Sequence, residues 1–90
     1  MSREWRVEFD AMAAKELKKL GGAEQRRIVK YLRERIAGRG DSRRLGTALT
    51  GDFTGLWRYR VGDYRLIASI EDGRFTVLIL RVGHRREIYR

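Results

Sequence analysis

The amino-acid sequence predicts an α+β fold in which an N-terminal strand and two helices precede a three-stranded antiparallel meander, with the helices packed on one face of the sheet. Two patterns carry this prediction. Residues 5–9 alternate between apolar and charged side chains, which is typical of a strand with one buried face. The last third of the chain alternates again and is divided by Gly62-Asp63 and Asp72-Gly73, which are typical of hairpin turns.

Two amphipathic helices are predicted between the first strand and the meander. Asp10 is suited to cap the first helix, and Gly21-Gly22 ends it. The second helix spans residues 23–37 and ends at Gly38, and residues 38–55 form a long connection without a sustained period. The apolar stripes are Ala13, Leu17 and Leu20 in the first helix and Ile28, Leu32 and Ile36 in the second.

The composition favours a small basic protein that binds a polyanion. A chain of 90 residues has room for one domain, which we place at residues 1–90. Twenty-one Lys and Arg residues against twelve Asp and Glu residues give a net charge of +9, which attracts nucleic acid before any specific contact forms. A membrane surface or an acidic protein would also match this charge.

Several classes of function are excluded by what the sequence lacks. There is no cysteine for a disulfide, a thiol nucleophile or a zinc site, and there is one histidine. No glycine-rich phosphate loop or serine nucleophile motif is present. No stretch approaches the roughly 18 apolar residues of a membrane span, and the N-terminal residues do not resemble a secretion signal. We therefore expect a cytoplasmic protein with no membrane association, no metal and no other cofactor.

The register of the first hairpin of the meander places three arginines on one face. If Gly62-Asp63 is a two-residue loop, Arg60 lies opposite Arg65 and Arg58 lies opposite Ile67. Like charges directly opposed in a sheet are destabilising, so function explains them better than structure does, although pairing with nearby acids remains the alternative. A planar guanidinium donates two parallel hydrogen bonds to a phosphate, which favours a phosphodiester as the ligand. The rest of this face is a partly apolar floor of Ile67, Ser69, Thr76, Leu78, Leu80 and Val82.

The end of the chain, Val82-Gly83-His84-Arg85-Arg86-Glu87-Ile88-Tyr89-Arg90, carries the most informative motif. Together with Leu56-Trp57-Arg58-Tyr59-Arg60 and Gly62-Asp63-Tyr64-Arg65-Leu66, it resembles the RelE branch of the RelE/ParE toxin superfamily over nearly the whole chain. The resemblance implies a toxin of a type II toxin-antitoxin system that cleaves messenger RNA in the ribosomal A site. It also implies that the RNA 2′-hydroxyl is the nucleophile, that a 2′,3′-cyclic phosphate is left, and that no metal is needed.

The resemblance also assigns candidate site residues. Arg58 and Arg60 match basic positions on the first meander strand, Arg65 matches an arginine beside the hairpin, and Arg85 and Tyr89 match the terminal arginine and tyrosine. We expect the first three to hold the scissile phosphate and Arg85 to support the leaving oxygen. The candidate catalytic residues are Arg58, Arg60, Arg65, His84, Arg85 and Tyr89.

Proton transfer is assigned less directly. Arginine stays protonated, whereas histidine as a residue type can exchange a proton near neutral pH, so His84 is a candidate proton shuttle. The alternative is that His84 only packs or forms hydrogen bonds at the end of a strand. Tyr89 has the corresponding alternative of an aromatic residue that packs near the terminus.

The expected partners are the ribosome, messenger RNA and a RelB-like antitoxin, which would form a hetero-oligomer with the toxin. The antitoxin is expected to use a helical acidic segment, and Ile67, Leu78 and Leu80 are a candidate contact unless the C-terminal segment covers them. Two other functions stay open. One is a ParE-like inhibitor of DNA gyrase, which is not a nuclease, and the other is an RNA-binding module without catalysis.

Overall fold

The computed structural model describes residues 4–38 and 42–88 and has the α+β fold that the sequence predicts. A strand and two helices precede the meander, and a short additional strand lies between the second helix and the meander. The strands are β1 Arg6–Phe9, β2 Thr47–Ala48, β3 Trp57–Val61, β4 Tyr64–Glu71 and β5 Thr76–His84, and the helices are α1 Ala11–Lys18 and α2 Gly22–Tyr31. No described helix is long and apolar enough to cross a membrane.

The five strands form one mixed sheet in the order β1-β5-β4-β3-β2. β1 pairs in parallel with β5, and all other neighbours are antiparallel. The β3–β4 register is the predicted one, with Arg60 opposite Arg65 and Arg58 opposite Ile67. Gly62 has a φ of 60°, as the first central residue of a two-residue hairpin turn requires. The loop therefore determines which side chains of the hairpin share a face.

Both helices pack on the same face of the sheet, and their predicted apolar stripes point into the core. The Asp10 side chain accepts a hydrogen bond of 2.9 Å from the Ala13 N–H and caps α1 as predicted. The second helix continues beyond α2 as one wider turn at Leu32–Ile36, in which the Ala37 N–H donates to the carbonyl of Leu32, five residues back. The buried core is Ala13, Ile28, Leu32, Ile36, Tyr59, Val61, Leu66, Ala68, Val77, Ile79 and Val82.

A bulge in β5 changes the face of its last residues. The β4–β5 register shifts between Ile67 and Ala68, so Ala68 pairs with Ile79 whereas Leu66 pairs with Val82. One residue of β5 is therefore extra, and the alternation of side chains reverses beyond it. Val82 was predicted to lie on the face of Arg58, Arg60 and Arg65, which we call the arginine face. This prediction is wrong because of the bulge: Val82 is buried in the core.

The second hairpin is longer than the sequence predicts. Glu71 pairs with Thr76, so the connection contains four residues rather than the two of Asp72-Gly73. A 3-10 turn at Asp72–Arg74 is followed by Phe75 in the left-handed conformation, with a φ of 47°. Because two residues are added, the alternation is preserved and Val77 still points into the core.

The connection before the meander is more ordered than its sequence indicates. Residues 39–41 lie outside the described part, but β2 and a 3-10 helix at Gly51–Phe53 follow. The Arg43 guanidinium binds both carboxylate oxygens of Asp72, at 2.8 and 2.6 Å, and lies 5.6 Å from the ring of Trp57. The buried Tyr59 hydroxyl donates to the Ser42 carbonyl. These contacts attach the connection to the sheet.

Glu16 of α1 takes the place of a missing strand beside β5. The pairing of β1 with β5 ends at Phe9 and Ile79, so the N–H of Val82 has no strand partner on that side. The Glu16 carboxylate accepts from this N–H at 2.9 Å and from Arg81 Nε and Nη2 at 3.1 and 3.0 Å. Burial would raise the pKa of Glu16, but these hydrogen bonds outweigh it and hold the pKa below 4.5.

This carboxylate makes the stability of the protein depend on pH. The native pKa is lowered, so the stabilisation is complete above the unfolded value of 4.5 and is lost as pH falls through the native pKa. We predict that Glu16→Gln lowers the free energy of unfolding by about 1–3 kcal/mol at pH 7 and flattens its decline below pH 4.5. Urea unfolding from pH 7 to pH 3 measures both effects, and parallel curves for the two proteins would contradict this role.

Candidate functional site

Arg58, Arg60 and Arg65 lie together on the sheet face that points away from the helices. Their face is defined by the register and by Tyr59 and Val61, which alternate with them on β3 and are buried in the core. Across β4, the partner of Arg65 on β5 is Gly83. The hairpin thus presents three guanidinium groups at one end of the sheet.

Arg65 is the anchor of this arginine cluster. Its side chain is buried, with 8% of the residue exposed, and its Nη1 donates 2.9 Å hydrogen bonds to the carbonyls of Gly62 and Tyr64. Both bonds come from one nitrogen, so the guanidinium is held in one orientation and its other N–H groups remain for a ligand. A buried arginine is rare without a compensating charge, which indicates a site prepared for an anion.

The charges around Arg65 are almost all positive. Burial lowers the pKa of Arg65, and the positive charges of Arg60, Arg58 and Arg85 lower it further. Among the described residues, Asp63 is the one carboxylate that acts in the opposite direction. The guanidinium stays protonated, since the ordinary pKa of arginine is far above neutrality. The positive charges of Arg58, Arg60 and Arg85 therefore act against the charge of Arg65.

Arg85 reaches the cluster from the turn that follows β5. Its backbone N–H donates to the Asp63 carbonyl at 2.8 Å, and its Nε lies 4.0 Å from Asp63 Oδ1. The turn itself closes through the N–H groups of Glu87 and Ile88, which both donate to the carbonyl of His84. The hairpin loop and the C-terminal turn are thereby tied to each other.

Ile88 explains the glycine of the C-terminal motif. Ile88 is buried, and a Cβ on Gly83 would lie 2.9 Å from its Cδ1, so a larger residue at position 83 would require the Ile88 side chain to shift. Ile67 is also buried, at 2% exposure, and is not the open contact that the sequence predicts, whereas Leu78 and Leu80 are half-buried. Tyr89, the next residue of the motif, lies outside the described residues.

The structure does not bring His84 to the arginines. His84 pairs with Tyr64, and both side chains lie on the helix side of the sheet. Their rings pack edge to face, with 5.9 Å between the centroids. Its Nδ1 accepts from the N–H of Arg86 at 3.2 Å, which leaves Nε2 for any proton transfer. The bulge in β5 is the reason, because the reversed alternation turns His84 as well as Val82 to the helix side.

Sequence reasoning missed two residues that touch this site. Asp63 was expected as a turn residue and as an alternative partner of the strand arginines, but its contact with Arg85 depends on a fold of the C-terminal turn that has no local sequence signal. Arg27 of α2 lies against the hairpin loop, since a Cβ on Gly62 would be 2.7 Å from Arg27 Nη1. Within the described residues, no three His, Cys, Asp or Glu side chains are grouped to hold a metal ion.

The fold and the arginine cluster define a toxin of the RelE kind. The chain is similar to a chain of the RelBE2 toxin-antitoxin complex from Mycobacterium tuberculosis, with a TM-score of 0.79 and 31% sequence identity over 93% of this chain and 94% of that one. It is also similar to a chain of the archaeal RelE-RelB complex from Pyrococcus horikoshii OT3, with a TM-score of 0.67 and 28% identity over 92% and 97%.

The chain belongs to the ParE toxin family of type II toxin-antitoxin systems, whose family model matches residues 7–89, and within the RelE/ParE superfamily it lies on the RelE branch. Toxin RelG from Mycobacterium tuberculosis is 47% identical over 47 residues, which are 52% of this chain and 54% of that protein. The chain spans about half the length of the curated relatives that it matches.

Proposed function

We propose that this protein is the toxin of a type II toxin-antitoxin system and a ribosome-dependent endoribonuclease that cleaves messenger RNA in the A site. Its relatives in Mycobacterium tuberculosis are named toxins RelG and RelE, and its structural neighbours are complexes of RelE with RelB. The observation that carries the proposal is the cluster of three arginines, Arg58, Arg60 and Arg85, around the buried Arg65. Translation in the cytoplasm is where such an enzyme acts.

The scissile phosphate binds between Arg58, Arg60 and Arg65 in this proposal. The phosphodiester carries one negative charge in the ground state and a second one develops on the phosphoryl oxygens as the nucleophile attacks. Arginines held in place before the reaction stabilise this charge without reorganisation, which is the largest contribution in many enzymes. The mutual repulsion of the guanidinium groups in the free protein falls when the anion is bound, so the same residues favour binding.

The reaction is a transfer within the RNA strand and needs no metal. The 2′-hydroxyl loses its proton and its oxygen forms a bond to phosphorus, while the bond from phosphorus to the 5′-oxygen breaks. The 5′-oxygen takes up a proton, so the products are a 2′,3′-cyclic phosphate and a 5′-hydroxyl. Arg85 is proposed to neutralise charge on the leaving oxygen, and its contacts with Asp63 support this role because they hold it beside the cluster.

Proton transfer is proposed for Tyr89 and for the RNA aligned by the ribosome. His84 is proposed as a positioning residue, because its carbonyl accepts from Glu87 and Ile88 and its Nδ1 accepts from Arg86. A proton shuttle through Nε2 would require the imidazole to reach the other face of the sheet. A catalytic set that is incomplete in the free protein fits an enzyme whose geometry is completed by the ribosome.

The antitoxin is proposed to be a RelB-like protein that forms a hetero-oligomer with the toxin. The excess of positive charge on the toxin matches an acidic segment. Leu78 and Leu80 on the arginine face provide half-buried apolar area next to this charge. A segment bound there would cover the phosphate site and inhibit the enzyme.

Cleavage is tested with messenger RNA alone and with translating ribosomes, and the new 5′ ends are mapped by primer extension. We predict cuts within A-site codons only when ribosomes are present. Arg60→Gln is expected to reduce the rate about 10²–10³-fold, as loss of a donor to a transition-state oxyanion does. Arg60 is exposed, so the substitution leaves the core intact, and Arg44→Gln at another exposed arginine is the matched control.

Cleavage without ribosomes would contradict ribosome dependence. No cleavage in either condition would contradict the nuclease, and a DNA supercoiling assay with gyrase would then test the ParE-like alternative. Equal rates for Arg60→Gln and Arg44→Gln would show that the cluster does not bind the reacting phosphate.

The role of His84 is tested by its alanine variant in the same assay. We predict that His84→Ala lowers the rate less than about tenfold and leaves the pH–rate profile unchanged between pH 6 and 8, where a histidine shuttle would titrate. Tyr89→Phe is the comparison and is expected to lower the rate more. Loss of a neutral limb of the profile in His84→Ala would restore the histidine as the proton shuttle.

A further inference from the structure

A second basic surface lies beside the arginine cluster, in a cleft of about 250 Å³ between α2 and β3. β2 pairs with Trp57 and Arg58, so β3 has no strand partner on this side at Arg60 and Val61 among the described residues. α2 runs next to this free edge and closes the cleft from the other side. The cleft is lined by Arg27, Lys30, Tyr31, Glu34, Arg35, Arg60, Val61 and Gly62.

The charge of this α2–β3 cleft is strongly positive. Arg27, Lys30, Arg35 and Arg60 contribute four cations, and Glu34 is its one acid. None of these four cations forms an ion pair with another residue in the ranges 4–38 and 42–88. Lys30 and Arg35 lie three and eight residues after Arg27 along the helix, and all three side chains line the cleft. Uncompensated cations converging on one cleft favour a polyanion as its occupant.

The cleft and the arginine cluster share the hairpin loop. Gly62 accepts a hydrogen bond from Arg65 Nη1 through its carbonyl, and its Cα side is covered by the guanidinium of Arg27. Any other residue at position 62 would have its Cβ 2.7 Å from Arg27 Nη1. Arg60 belongs to both surfaces, since it faces Arg65 across the hairpin and also lines the cleft. A nucleic-acid strand bound at the arginine cluster would therefore continue into the cleft.

We propose that the α2–β3 cleft binds the RNA backbone adjoining the scissile phosphate, with Arg27 and Arg35 on its phosphates and Tyr31 against a base. This inference rests on the proposed function, because it takes the scissile phosphate to lie in the cluster. A basic groove with an aromatic side chain is the usual arrangement for single-stranded nucleic acid. The cleft does not suit an amphipathic acidic helix, because such a helix needs an apolar groove. Val61 is the aliphatic side chain that lines the cleft, and it is buried.

The test compares 2′-O-methyl RNA oligonucleotides of three and twelve nucleotides, which cannot be cleaved, by fluorescence anisotropy. Arg27→Gln and Arg35→Gln are each expected to weaken binding of the longer RNA about fivefold at 0.1 M salt. Each is also expected to reduce the slope of log affinity against log salt by about 0.7, the value for one phosphate contact to a single strand. Binding of the trinucleotide, which occupies only the cluster, should not change.

Arg26→Gln is the matched control, because Arg26 precedes Arg27 on α2 but lies over Gly22 and lines a different cleft. Equal losses for Arg26→Gln and Arg27→Gln would overturn the inference, and so would equal losses for the two RNA lengths. A decaglutamate peptide bound in an Arg27-dependent way, with RNA unaffected, would identify an acidic protein segment as the occupant and would also overturn it. Thermal unfolding of each variant controls for folding.

The outcomes separate this inference from the proposed nuclease. If the ribosome assay shows no cleavage but Arg27→Gln still weakens the longer RNA selectively, the cleft is an RNA site and the nuclease is wrong. If cleavage occurs and Arg27→Gln behaves like Arg26→Gln, the nuclease stands and the cleft is not part of it.

Discussion

The register of the β3–β4 hairpin is the constraint on which the site depends. The two-residue loop at Gly62 and Asp63 places Arg60 directly opposite Arg65, and no shift by one residue would keep both arginines and the core on their proper sides. The loop also supplies the carbonyl that holds Arg65, the backbone and side-chain contacts for Arg85, and the open space that receives Arg27. The hairpin thus organises charge from three separate parts of the chain.

In the proposed function, this arrangement of arginines lowers stability and favours the binding of a phosphate. Opposed like charges weaken a strand pair by about 0.2–1 kcal/mol, and burial of Arg65 adds to the unfavourable side. Other interactions offset these unfavourable effects. They are the packed core between the helices and the sheet and the hydrogen bonds that Arg81 and the Val82 N–H donate to Glu16. In the proposed function, a phosphate bound among the arginines converts this repulsion into attraction.

The parts of the structure set by local signals were predictable from sequence. Strict alternation, a capping aspartate and a glycine-led two-residue turn each act over a few residues, and they gave the helices, the meander and the shared face of Arg58, Arg60 and Arg65. The resemblance in the C-terminal motif added Arg85, and the structure brings it to Arg65. Tyr89 stays a prediction, since it lies outside the described residues.

The parts set by distant contacts were not predictable. Nothing in the sequence of β5 marks the extra residue of its bulge, which depends on pairing with β4 on one side and on Glu16 on the other. That single residue reverses the faces of Val82 and His84 and separates the histidine from the arginines. The left-handed Phe75 has the same origin, because its ring packs against Trp5 from the other end of the chain.

The most direct measurement of the central claim is the effect of Arg60→Gln on two quantities in the same protein. We predict that the free energy of unfolding rises by about 0.2–1 kcal/mol at low salt, because the repulsion between residue 60 and Arg65 is removed. This increase should be smaller at high salt, where the repulsion is screened. We also predict that the affinity for a 2′-O-methyl trinucleotide falls. Two results would contradict the claim that these arginines repel one another in the free protein and bind a phosphate. One is that Arg60→Gln lowers the free energy of unfolding. The other is that it changes the free energy of unfolding and the affinity no more than Arg44→Gln does.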